Sequence, residues 1–163
     1  TLLTTTFMHG GFAHLLFDMY DLLIFGSLLE SKIGPKRFLY LYLTVGIVSA
    51  FFGTFLYEKM LGASGAVMGI IGTLIVLMPR LKLYLFFAIP MQLWFAGIVF
   101  FILDLIGMVN PNNVANTVHI VGMFIGLAYG YYLYSNRKKF QKRFSKKKYV
   151  TKKDSDKYKK LYK

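Results

Sequence analysis

Four polar side chains in a largely apolar chain have the types and spacing that hydrolytic chemistry requires. Ser64 lies within the stretch GASGAVMG, and His119 begins the stretch HIVGMFIG. A serine hydroxyl is a weak nucleophile unless a neighbouring base takes its proton, and an imidazole suits that role near neutral pH. His14 and Asp18 are four residues apart and would share one face of a helix. The residues therefore predict a nucleophile, a base and two polar groups beside them.

The composition predicts that membrane helices position these groups. Of the 163 residues 56% are hydrophobic, and the mean hydropathy is +0.50. Soluble domains hold about 45–50% apolar residues even with glycine included, and a membrane span needs about 20 mostly apolar residues. We therefore predict an all-α polytopic transmembrane bundle with about five spans. They are Phe12–Leu29, Phe38–Tyr57, Ser64–Met78, Met91–Met108 and Val114–Tyr134, with Pro79–Pro90 as an interfacial loop or short strand.

The positive charge is concentrated at the C-terminal end. The chain has 20 Lys and Arg against 7 Asp and Glu, and 14 of the bases lie in residues 136–163. Bases also follow the first and third spans, whereas VNPNNV after the fourth has none. Since basic loops stay in the cytoplasm, we predict a multi-pass cell-membrane protein. Residues 1–135 form its transmembrane domain, and residues 136–163 form a cytoplasmic tail on anionic lipid, with no nucleic-acid partner.

This orientation places the polar groups at one depth. Spans one, three and five would enter from the outside, so His14, Asp18, Ser64 and His119 would lie in the outer half of the bilayer. Ionisable groups inside a membrane usually mark a functional site or a paired interior position.

Glycines on two spans predict how the nucleophile and the base meet. Spacings of three and four residues put each set on one helix face, where the missing side chains let helices approach closely. We therefore expect spans three and five to pack directly, with Ser64 and His119 within hydrogen-bond reach. The two sets are Gly62, Gly65, Gly69 and Gly72, and Gly122, Gly126 and Gly130.

Each polar residue also has a purely structural interpretation. Ser64 in a small-residue packing face would be a helix N-cap, and His14 would be a hydrogen-bonded interior histidine. For His9 we favour a structural role in a loop. Asp104 would orient His119 as a third catalytic member, but we expect it instead to cap or bond backbone in the next connection.

At this point the sequence resembles the rhomboid family of intramembrane serine proteases. The resemblance rests on GASGAVMG, HIVGMFIG, HGGFAHLLFDMY (9–20) and FGSLLESKIGPKRFLYLY (25–42). It implies hydrolysis of peptide bonds in transmembrane segments of substrate proteins, without a metal or organic cofactor. By this resemblance Ser64 and His119 form a dyad without an acid, and the oxyanion and substrate-binding residues are His14, Asp18 and Gly62.

Two features depart from the family pattern. Asp18 stands where the family has asparagine, and a carboxylate repels an oxyanion unless it is protonated. The family core has six spans, so we expect the first to lie before Thr1 in a longer protein.

Two other function classes remain open. A non-catalytic rhomboid-like protein would bind transmembrane helices without cutting them, which the aspartate favours and the serine–histidine pair opposes. A transporter or channel would use His14, Asp18 and His119 as an ion path, although no inverted repeat is visible.

Overall fold

The computed structural model is mostly helical and describes residues 1–58, 61–85, 89–109, 115–145, 152 and 156–157. Seven α-helices and one two-stranded ribbon make up the described part of the domain. The helices are α1 (Leu2–Thr5), α2 (Phe12–Asp21), α3 (Ser27–Ile33), α4 (Pro35–Gly53), α5 (Ser64–Leu77), α6 (Leu93–Val109) and α7 (Asn116–Ser145), and a π-helical turn (Leu22–Gly26) joins α2 to α3.

Helix α5 is the centre of the bundle. Every residue from Gly65 to Leu74 is buried, and α4, α6, α7 and the α2–α3 segment all pack around it. Apart from Ser64 and Thr73, the side chains of α5 are apolar on all sides, which is the pattern of a helix enclosed by other helices. The helix ends at Leu77 because Pro79 follows and disfavours helical backbone in the residue before it.

Helices α5 and α7 touch backbone to backbone. A Cβ added at Gly122 would fall on the carbonyl oxygen of Gly65, and one added at Gly126 would fall on that of Gly69. The Thr73 hydroxyl, 3.0 Å from Gly126 O, donates across the same contact. The prediction that these two spans pack through their glycines is confirmed.

The span boundaries agree with the sequence to within a few residues, with one exception. Helix α7 continues to Ser145, eleven residues beyond the predicted end at Tyr134. The predicted outer connection 110–113, and the tail apart from 136–145, 152 and 156–157, lie outside the described residues.

The number of membrane crossings stays a prediction. Within the described chain, one continuous helical stretch, Phe12–Ile33, is long and apolar enough to cross a membrane. Helices α5 and α6 are apolar but shorter.

The segment between α5 and α6 forms the strand that we gave as an alternative to a loop. Strands β1 (Lys82–Leu85) and β2 (Ile89–Gln92) pair antiparallel, with Lys82 opposite Gln92. Pro90 fits because a two-stranded ribbon leaves an edge that needs no N–H donor.

Candidate active site

Ser64 is the first residue of α5, where the chain turns sharply into the bundle. Gly62 has φ +131°, a backbone conformation that residues with a side chain rarely adopt. Its N–H donates to Thr5 O, 3.0 Å away in α1. This turn places Ser64 at the N-terminus of α5 in a half-buried position. The backbone N–H groups at a helix N-terminus have no intrahelical partners.

His119 lies in the first turn of α7, facing the same end of α5. Its Nε2 is 2.8 Å from Ser64 Oγ. The side chain is 17% exposed, so the ring is enclosed but still reachable from outside the protein. The predicted hydrogen bond between spans three and five is confirmed, and the glycine contact between α5 and α7 explains it, because that contact fixes the two helix heads side by side.

Asp104 corrects one prediction. We expected this residue to cap or bond backbone in the connection after α6, but Asp104 Oδ1 lies 2.9 Å from His119 Nδ1. An ionised carboxylate only accepts hydrogen bonds, so this contact favours the tautomer with a proton on Nδ1 and a free lone pair on Nε2. The three side chains are therefore connected in the order Ser64, His119 and Asp104, which is the order of contacts in a Ser–His–Asp triad, whereas the resemblance implied a dyad without an acid.

Asp18 is tied to the turn that precedes Ser64. Its Oδ2 accepts a hydrogen bond of 2.8 Å from the backbone N–H of Ala63. His14 Nε2 is 3.5 Å from the same oxygen, one helical turn away. A Cβ at Gly62 would lie 2.7 Å from His14 Nε2 and 3.2 Å from Asp18 Oδ2. The structure thus brings the three predicted oxyanion and substrate-binding residues together.

His9 is closer to this cluster than its interpretation as a loop histidine suggested. Its side chain is 8% exposed, and its Nε2 lies 3.1 Å from Asp18 Oδ2. The ring nitrogen is not aligned for a hydrogen bond and has no such partner among the described residues. The ring also packs edge-on against His14, with centroids 5.4 Å apart. This contact could not be predicted, because the chain between His9 and α2 has no helical periodicity that would indicate a shared face.

A cavity of about 290 Å³ adjoins Ser64 and His119. Helix α2 contributes two carboxyl groups, α5 one hydroxyl group and three apolar side chains, α6 two apolar side chains and a carboxyl group, and α7 the imidazole. The lining residues are Asp18, Asp21, Ser64, Val67, Met68, Ile71, Phe100, Leu103, Asp104 and His119. His14 and Gly62 contact Asp18 rather than line this space. Across the described ranges, no three His, Asp or Glu side chains are arranged to hold a metal ion.

The chain is similar to known proteins over most of its length. Residues 1–136 match the family model of the rhomboid domain. The chain is 29% identical to the mitochondrial rhomboid protein 1 of Saccharomyces cerevisiae, over 82% of this chain and 41% of that protein. It is 31% identical to the mitochondrial RHOMBOID-like protein 12 of Arabidopsis thaliana, over 75% of this chain and 43% of that protein.

A human protein, the mitochondrial presenilin-associated rhomboid-like protein, is 32% identical over 59% of this chain and 27% of its own length. The chain therefore spans less than half the length of these curated relatives.

Proposed function

The chain belongs to the rhomboid family, and on that premise we propose that it is an intramembrane serine endopeptidase with Ser64 as nucleophile and His119 as general base. One observation carries the proposal: the 2.8 Å contact between Ser64 Oγ and His119 Nε2 beside a cavity. A catalytic base must lie within about 2.6–3.2 Å of the proton that it removes. The substrates are transmembrane segments of other proteins.

The first half of the reaction forms an acyl-enzyme. Ser64 Oγ attacks the carbonyl carbon of the scissile peptide bond while its proton passes to His119 Nε2. The carbonyl oxygen becomes an oxyanion beside the first turn of α5, where backbone N–H groups and the helix dipole favour negative charge. The intermediate collapses, the C–N bond breaks, and the leaving amine takes the proton from His119.

The second half restores the enzyme. Water reaches the ester through the cavity and gives its proton to His119 Nε2 as its oxygen attacks the acyl carbon. The bond to Ser64 Oγ then breaks, and the proton returns to the serine. The products are two shorter chains, one ending in a new carboxyl group and the other beginning with a new amine.

Asp104 is the positioning residue of this proposal. Its 2.9 Å contact with His119 Nδ1 holds the ring so that the lone pair of Nε2 faces Ser64. It also stabilises the imidazolium that forms during both halves of the reaction. Asp104 itself does not touch the reacting atoms.

The membrane setting is part of the same proposal. Rhomboid proteins are membrane proteins, and the large apolar side chains exposed on α2 and α6, Phe12, Phe17 and Leu103 among them, suit contact with lipid. The basic residues at 136–163 support a cytoplasmic tail, in a cell membrane crossed by about five spans. The site would then face the outer half of the bilayer.

The test is cleavage of a transmembrane reporter by the full chain in liposomes. Ser64→Ala should abolish cleavage because the substitution removes the attacking oxygen. Ser31→Ala is the matched control, since Ser31 is exposed and its hydroxyl donates to Leu28 O of its own helix; this variant should cleave the reporter like the wild type. Wild-type cleavage by the Ser64→Ala protein would overturn the proposal.

A second candidate function has one observation in its favour. Asp18 places a carboxyl group beside the turn that precedes Ser64, where a negative charge opposes an oxyanion. This favours a protein that binds transmembrane helices without cutting them. A fluorophosphonate separates the two functions: the protease labels at Ser64, and the binding protein does not.

A further inference from the structure

A second cavity lies at the end of the bundle opposite Ser64. Its volume is about 350 Å³, within the range of about 300–1,000 Å³ typical of small-molecule sites. It is bounded by the end of α3, the start of α4, the end of α5 and the later turns of α7. The lining residues are Lys32, Ile33, Arg37, Leu77, Met78, Tyr129, Tyr132, Leu133, Asn136 and Arg137.

The polar part of this lining consists of donors and carries only positive charge. Lys32, Arg37 and Arg137 approach from three helices, and the two tyrosines and Asn136 add groups that can donate hydrogen bonds. None of the lining residues is acidic. Guanidinium and ammonium groups that line one cavity from three helices suit the oxygen atoms of a phosphate.

The apolar part of the lining indicates where such a phosphate comes from. Ile33, Leu77, Met78 and Leu133 form an apolar wall next to the cations. A free phosphate has no apolar part that could contact this wall. A phospholipid does, because its phosphate is followed by glycerol and acyl chains. The cavity is also at the end of the bundle where the predicted cytoplasmic surface of the membrane begins, because about 13 residues of α5 separate Ser64 from Leu77.

We propose that this basic pocket binds the phosphate of an anionic phospholipid headgroup, with Lys32, Arg37 and Arg137 on the phosphate and the apolar wall against the start of the acyl chains. Basic pockets between transmembrane helices on the cytoplasmic side hold such headgroups in other membrane proteins. The pocket does not depend on Ser64 chemistry, so the Ser64→Ala protein binds the lipid like the wild type.

The experiment measures lipid retention by the purified full chain. Native mass spectrometry in detergent counts bound phosphatidylglycerol and phosphatidylcholine over a titration of each. The test variant is Lys32→Gln/Arg137→Gln. The control variant is Lys36→Gln/Lys138→Gln, which removes the same charge from neighbouring positions outside the lining.

The expected result is a preference for phosphatidylglycerol that the test variant weakens by about 25-fold, at about fivefold for each basic residue, and that the control variant changes less than threefold. An equal loss in both variants would overturn the proposal, because the attraction would then be a property of the whole basic surface. Equal affinity for both lipids would also overturn it. If inorganic phosphate displaced the bound lipid at concentrations comparable to that of the lipid, the pocket would be a site for free phosphate, and the proposal of a phospholipid ligand would be overturned.

Discussion

The seam between α5 and α7 and the outer helices α2 and α6 each supply half of the candidate site, but they are packed in opposite ways. At the seam, the backbones of Gly122 and Gly126 touch those of Gly65 and Gly69. On α2 and α6, by contrast, large apolar side chains are mostly uncovered by protein: Phe17 is 69% exposed and Leu103 58%.

This difference separates the two tasks of the site. Ser64 and His119, the proposed nucleophile and base, lie on α5 and α7, which are held at a fixed distance by direct backbone contact. The two carboxyl groups that contact Ala63 N–H and His119, Asp18 and Asp104, come from the outer helices. Because α2 and α6 bury few large side chains against the rest of the protein, on the proposed function we expect a substrate helix to displace these helices rather than α5 or α7.

Breaking the seam should have the largest effect. Gly126→Ala places a methyl group on the backbone of Gly69, which cannot yield without separating α5 from α7. Overpacking of this kind typically lowers the free energy of unfolding by about 1–3 kcal/mol, and occasionally by more. We expect a fall of about 3 kcal/mol or more in the free energy of unfolding, measured by denaturant titration in detergent micelles, and complete loss of cleavage.

The control for the seam uses the opposite face of the same helix. Ala128 is exposed, so Ala128→Leu adds a larger side chain without meeting protein and should change stability by less than about 0.5 kcal/mol. If Gly126→Ala were as stable as Ala128→Leu, the two helices would not be held by backbone contact.

Removing the charge of Asp104 should have the next largest effect. Asp104→Asn keeps the size of the side chain but lets the amide favour the wrong tautomer of His119, which in serine proteases costs about 10⁴-fold in kcat. We expect at least about a 10²-fold fall in kcat, with KM nearly unchanged and the unfolding midpoint little affected.

A neighbour at the same depth controls for damage to α6. Leu105 is 43% exposed and lies outside the cavity lining, so Leu105→Ala should keep nearly full activity. Equal kcat values for Asp104→Asn and the wild type would mean that the contact with His119 has no role in positioning the base, and that two residues suffice.

The same comparison explains what the sequence could and could not predict. Ser64 and His119 could be paired because glycine spacing is a local pattern that indicates helix contact directly. The contact of Asp104 with His119 was only the less favoured of two predictions, since it depends on how α6 crosses α7, and no spacing within α6 records that angle. His9 was missed for the same reason: its contact with Asp18 is made by irregular chain between α1 and α2.

Substitutions of Asp18 test how a charge on the outer helix α2 affects the reaction proposed for Ser64 and His119. Asp18→Asn retains an oxygen for the Ala63 N–H and replaces the negative charge with an amide that can donate to an oxyanion. We expect kcat/KM for the reporter to rise about tenfold, less than the 10²–10³-fold associated with a whole oxyanion donor, because the carboxylate is already compensated by the Ala63 N–H.

Asp18→Leu separates charge from hydrogen bonding. It removes the charge too, but it leaves the buried N–H of Ala63 without its acceptor, at a cost of about 1–3 kcal/mol. This variant should therefore be less stable than the wild type and should not gain activity. A fall in activity for Asp18→Asn would show instead that the carboxylate itself supports turnover.

The smallest effect should come from the cavity wall on α6. Leu103 lines the cavity but is 58% exposed, so Leu103→Ala should change the free energy of unfolding by less than about 0.5 kcal/mol. The larger cavity should improve cleavage of reporters with a bulky apolar residue at the cut site by about fivefold, since small changes in an apolar pocket are worth about 1 kcal/mol. Ile102→Ala, on the same helix at 48% exposure and outside the lining, should leave this preference unchanged. If Leu103→Ala lowered the free energy of unfolding as much as Gly126→Ala, α6 would be packed as tightly as α5 and α7. The proposed difference between the fixed helices α5 and α7 and the loosely packed α2 and α6 would then be wrong.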